Sequence, residues 1–111
     1  MDTNIENVLS ELISRLKTLS LSQVILFGSY AWGRPSEESD IDIYIVTRDN
    51  FLPSSWKQKR DIVRNISDRI IDLRMQYPID LLVHTEPMHR KFIEMESSFA
   101  GQIMEEGKRL I

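Results

Sequence analysis

Three observations on this 111-residue chain predict an α/β (α+β) domain with a small mixed β-sheet and helices packed on one face. Two long stretches carry apolar residues at the period of about 3.6 that marks one face of a helix. Three short β-branched runs stop at glycine or polar residues and read as strands. The first two runs are separated by residues 28–40, too long a segment for a tight hairpin turn.

The elements follow in order. Ile5, Val8, Leu9, Leu12, Ile13 and Leu16 define the buried face of a first helix, expected from about Asn4 to Thr18. Thr3 with Glu6 forms a capping-box pattern at its start. Gln23–Phe27 is apolar, β-branched and halted by Gly28, as a buried strand would be. Ser29–Gly33 suits a short helical turn, and Ile41–Val46 a second strand. A second helix is expected over Ser55–Met75, just after Pro53, with Ile62, Val63, Ile66, Ile70 and Leu73 as its buried stripe. Gln76-Tyr77-Pro78 breaks that pattern, and Ile79–His84 reads as a third strand. Glu86–Glu106 suits one broken helix or two short ones. Gly107 ends it, and Lys108–Ile111 supplies a short edge strand.

Composition bounds the function. Hydrophobic residues at 41% and charged residues at 28% suit a globule with a true core, and the length suits one domain over residues 1–111. Cysteine is absent, which excludes disulfides and thiolate metal sites. A formal charge of -3 argues against a protein that coats nucleic acid, so no direct nucleic-acid binding is expected. The polar, acidic N-terminus lacks the pattern of a signal segment, and no apolar run spans a bilayer. A cytoplasmic protein is expected.

The chemistry concentrates at two places. Alternation along a strand puts Asp40 and Asp42 on one face with Tyr44 beyond them, and Ile41, Ile43 and Ile45 on the other. Adjacent carboxylates resist ionisation together, and a divalent cation such as Mg²⁺ removes that cost while bridging to phosphates. Asp80 opens the third strand. If that strand lies beside the second, three acids converge, enough for two metal ions or for a base that takes a proton from an attacking hydroxyl. Gly28 permits close backbone approach, and Ser29 offers a hydroxyl and an N–H at the start of a turn, a setting that suits phosphate. Gly33 lets the chain leave that turn. Neither a P-loop nor a nucleophile elbow is present.

With these residues in view, FGSYAWGRPSEESDIDIYIV resembles the GS…DxD signature of the DNA-polymerase-β-like nucleotidyltransferases. More closely, nearly the whole chain is similar to the minimal nucleotidyltransferases, the antitoxins of HEPN/MNT toxin–antitoxin systems. PIDLLV and the closing IMEEGKRLI belong to that likeness. The resemblance implies a polymerase-β palm-like fold. It implies that Asp40 and Asp42 bind Mg²⁺, that Asp80 completes the site as ligand or base, and that Gly28 and Ser29 hold the triphosphate of ATP. It further implies AMP transfer to a tyrosine hydroxyl of a cognate HEPN-domain ribonuclease toxin. Many members carry Arg inside the glycine turn. Here Tyr30 and Trp32 stand there, and Arg34 follows as the candidate replacement.

Two other classes compete with that expectation. One is a non-catalytic, nucleotide-binding antitoxin that neutralises a toxin by covering it. The other is a small-molecule nucleotidyltransferase, which normally needs a further substrate domain or a partner subunit; a homodimer would meet that need. The shortness of the chain favours an acceptor that arrives as another folded protein, in a hetero-oligomer. Among weaker candidates, Tyr44 and Trp32 are divided between packing and contact with a substrate or partner. His84 is expected to be structural or solvated, and His89-Arg90-Lys91 a solvated helix face. Glu37 and Glu38, with Asp40 and Asp42, gather much of the negative charge.

Overall fold

A computed structural model of the protein describes residues 3–33, 35 and 39–111, with side chains described from Ile5 onward. The Thr3 side chain of the capping box therefore lies outside the described side chains, and Arg34, Glu37 and Glu38 lie outside the described residues.

The chain runs α1 (Thr3–Leu16), β1 (Leu21–Phe27), α2 (Ser29–Trp32), β2 (Ile41–Thr47), α3 (Trp56–Arg69), α4 (Ile71–Gln76), β3 (Ile79–His84), α5 (Glu86–Glu94), α6 (Ser98–Glu106) and β4 (Lys108–Arg109). The sheet order is β3-β2-β1-β4. β1 pairs antiparallel with both β2 and β4, whereas β2 and β3 are parallel. A parallel pair needs a crossover, and α3 with α4 supply it.

Local sequence explains the helix boundaries. Ser55 caps α3 by accepting from the Gln58 amide at 3.1 Å, and the Gln58 side chain accepts from the Ser54 amide at 2.7 Å. Thr85 and Ser97 cap α5 and α6 in the same manner. The expected single helix over 55–75 is interrupted at Ile70, which carries no glycine or proline to announce it. Arg15 of α1 reaches this interruption. Its guanidinium makes a bidentate pair with Asp72, with Nη2 donating at 2.8 Å to Oδ2, and also donates to the Arg69 carbonyl at the end of α3. Ile66, Ile70 and Leu73 stay buried on both sides of the break.

The helices cover both faces of the sheet, which corrects the expectation of one. Val24, Leu26, Ile41, Ile43, Ile45, Ile79 and Val83 project to one side, against Ile5, Val8, Leu9, Leu12 and Leu16 of α1 and the buried stripe of α3 and α4. Ile25, Phe27, Tyr44 and Val46 project to the other, against Ile103 of α6 and Phe92 of α5. The physical reason lies in the strands, whose residues are apolar at both parities and would leave the second face wet if it stayed uncovered. Among the described residues, no helix is long and apolar enough to cross a membrane.

Candidate active site

The strand register brings the acids together. β2 and β3 pair with Asp42 opposite Asp80, and the Ile41 amide donates to the Pro78 carbonyl at 2.8 Å, which fixes the entry of both strands. Asp40 stands one residue before β2. Asp42 and Asp80 share parity with Tyr44 and Leu82, so they lie on the sheet face that α5 and α6 cover further along.

Burial holds the Asp42 carboxyl above the ordinary carboxylate range, and the charges of Asp80 and Asp40 add to the effect. Asp80 is raised as well. The main cause is a hydrogen bond shared with Asp40, followed by burial and the Asp40 charge; the Arg74 charge opposes them. Among the described residues, no three His, Asp or Glu side chains are set around a common metal position.

Arg74 is a residue that sequence inspection missed. It lies in α4, is positioned by donating to Ser67 Oγ at 2.7 Å, and brings a cation near Asp80. Its place just ahead of Pro78 is visible in the sequence, but which way it faces depends on the break at Ile70.

The glycine turn closes the other side. Gly28 ends β1 at φ 75° and ψ -159°, a conformation open essentially to glycine alone. A Cβ there would collide with Oδ2 of Asp42 and lie 3.1 Å from its Cγ. The close approach that Gly28 permits thus includes this carboxylate. Ser29 opens α2, whose Ala31 and Trp32 amides both donate to the Gly28 carbonyl at 3.0 Å. Gly33 ends the turn in the left-handed region at φ 80°, and its amide returns to the Ser29 carbonyl. Tyr30 packs against the core, and Trp32 stays exposed.

Tyr44 is a packing residue with a buried polar tip. It is fully buried, and its hydroxyl lies 2.9 Å from His84 Nδ1 and 2.7 Å from His89 Nδ1. A hydroxyl donates one hydrogen, so it donates to one ring and accepts from the other. Burial raises the Tyr44 hydroxyl and lowers both histidines. His84 falls to about 4, through burial first and then the charges of Lys59 and His89. His89 therefore turns inward from its basic triplet, while Arg90 and Lys91 remain exposed.

Known proteins resemble this chain in sequence and in fold. The family model "Polymerase beta, Nucleotidyltransferase" matches residues 10–111. Two relatives from Methanocaldococcus jannaschii both bear the name "Putative protein adenylyltransferase". One is 34% identical over 110 residues, covering 96% of this chain and 98% of the relative. The other is 31% identical over 91 residues, covering 82% and 87%. Two solved structures share the fold at lower identity. A toxin–antitoxin with AMP-PNP aligns at TM-score 0.56 and 20% identity, over 93% of this chain and 72% of that one. A mutant of the toxin–antitoxin MntA-HpeT aligns at TM-score 0.53 and 19% identity, with the same coverage. The family match spans the glycine turn, the paired acids and the third acid alike, and this chain belongs to the polymerase β nucleotidyltransferase family.

Proposed function

We propose that residues 1–111 form one catalytic domain that transfers AMP from ATP to a hydroxyl of a protein, with a tyrosine of a HEPN-domain toxin as the acceptor. The observation that carries this reading is the pairing of Asp42 with Asp80 beside Gly28. The names of the Methanocaldococcus jannaschii relatives support adenylyl transfer to protein. The fold shared with toxin–antitoxin structures, one with AMP-PNP, supports the choice of partner and nucleotide.

By donor type the residues present fit a divalent cation. Asp40, Asp42 and Asp80 offer hard oxygen donors, and the neighbouring negative charges that add to burial in raising Asp42 are ones a cation would offset. Mg²⁺ bound there would neutralise charge on the phosphates. The chain's own residues do the rest. Gly28 and Ser29 cradle the phosphates at the turn, Gly33 holds that turn in shape, and Arg34 follows as a further phosphate contact. The acceptor oxygen attacks the α-phosphorus in line, a new O–P bond forms, and pyrophosphate leaves with the electrons of the broken bond. Asp80 takes the hydroxyl proton. Positioning and electrostatics supply most of the rate.

The test is incubation with α-labelled ATP, Mg²⁺ and a HEPN-domain toxin encoded beside this chain. Label on the toxin that vanishes with Asp42→Asn supports transfer. An unlabelled toxin that is still silenced equally by the wild type and Asp42→Asn favours the steric alternative and sinks the enzymatic one.

A further inference from the structure

Apolar side chains stand exposed on α5, α6 and the turn between them. Ile93, Met95, Phe99 and Met104 are 38%, 73%, 45% and 41% accessible. A groove of about 340 Å³ is lined by Ile93 and Met104, with Ser97, Ala100 and Gly101 along it and Glu96 and Glu105 at its sides; Met95 and Phe99 stand outside that lining. Glu94 and Glu106 are exposed close by in sequence. Apolar exposure on this scale marks a contact surface more often than it marks free solvent.

Phe99, next in sequence to the groove residue Ala100, links α6 to the strand that carries the glycine turn. The Phe99 ring packs edge-on against Phe27 with centroids 5.8 Å apart, and Phe27 is the strand partner of Asp42. Phe27, Asp42 and the helices lie on the same sheet face. The two helices that form the groove therefore pack on the sheet face that carries Asp42. The groove sets the chemistry of an occupant: an apolar stripe to meet Ile93, Ala100 and Met104, and cations to meet Glu96 and Glu105.

We infer that the α5–α6 groove is the docking surface for the protein acceptor and that its occupant is an amphipathic helix whose apolar stripe is flanked by Lys or Arg. This inference rests on the reading of a protein acceptor. A groove between consecutive helices takes a third helix by its i, i+3, i+4, i+7 residues. Charge complementarity selects a basic helix over an acidic one.

Gly101 provides a clean variant. A Cβ there meets no atom within 4 Å, so Gly101→Gln starts its side chain from an open position on the groove and improves helix propensity. The probe is a helical peptide with leucines at those four spacings flanked by lysines, with a twin carrying glutamates. Each is titrated into the ¹⁵N-labelled full chain without nucleotide. The lysine peptide is expected to shift resonances over residues 93–105, to bind about tenfold tighter than its twin, and to lose about tenfold with Gly101→Gln. In the transfer assay, Gly101→Gln is expected to raise KM for the protein acceptor several-fold while KM for ATP stays constant. No shifts, shifts confined to residues outside 93–105, equal binding of the two peptides, or self-association of the chain through residues 93–104 would each overturn the inference. Peptide binding without any transfer supports the groove and counts against the catalytic reading. Transfer without groove binding does the reverse.

Discussion

Gly28 and Asp42 compete for the same space: the position of a Gly28 side chain is taken by the Asp42 carboxylate. Gly28→Ala must move that carboxylate and also force an alanine to φ 75°. The expected cost is about 1–3 kcal/mol of stability from the backbone strain. Transfer activity is expected to fall about a hundredfold or more, since the displaced group is part of the site. Urea denaturation and the labelled-ATP assay measure the two effects.

The raised carboxyls set a pH dependence with a defined sign. Folded Asp42 and Asp80 hold protons more tightly than in the unfolded chain, whose Asp value is 3.8. The stability of the metal-free protein therefore falls as pH rises from that value through the raised range. Asp42→Asn is expected to remove part of this slope and to raise the melting temperature of the metal-free protein at pH 7. Mg²⁺ is expected to stabilise the wild type and to leave Asp42→Asn largely unmoved. Transfer by that variant drops by about 10²-fold or more. Calorimetry with and without Mg²⁺ separates these effects.

Arg74 opposes the upward displacement of Asp80. Removing it by Arg74→Ala is expected to raise the Asp80 carboxyl further and to move the acid limb of the transfer profile toward higher pH. Arg74→Lys keeps the charge and should move that limb less. A profile identical to wild type in Arg74→Ala would contradict the role.

The Tyr44 cluster acts in the opposite direction. His84 is lowered to about 4 in the fold, against 6.5 for an ordinary histidine. The unfolded chain thus binds more protons between those values, and His84 costs stability progressively as pH falls through that window. Two charged rings would also leave the Tyr44 hydroxyl hydrogen without an acceptor. His84→Phe is expected to flatten the loss of stability between pH 6.5 and 4, which denaturation at several pH values would reveal.

Glu96 turns the chain between α5 and α6 at φ 51°, a left-handed conformation that costs a non-glycine residue about 1 kcal/mol. Glu96→Gly is expected to stabilise the fold by about 0.5–1 kcal/mol in urea denaturation. Because Glu96 lines the groove, the same variant should weaken binding of the lysine peptide.

Much of this architecture was legible in the chain. Ile79–His84 is the third strand to the residue, and the alternation of Asp40, Asp42 and Tyr44 against Ile41, Ile43 and Ile45 gives the two faces of β2. Local patterns carry such information. What escaped depended on contacts between distant segments. Phe92 and Ile103 were recognisable as apolar, but periodicity does not say which sheet face they cover. The break at Ile70 has no local breaker and is tied to Arg15 on another helix. His84 shares parity with the acids, yet its link to Tyr44 and His89 required the return of α5 over the sheet. The close contact of Gly28 with Asp42 was likewise hidden, because it arises from the pairing of β1 with β2.

The parallel pairing of β2 with β3 also has a kinetic meaning. It joins segments separated by the whole α3–α4 crossover, so closing it comes at a large loop entropy before any contact rewards it. The step that zips these strands also presses two like charges together.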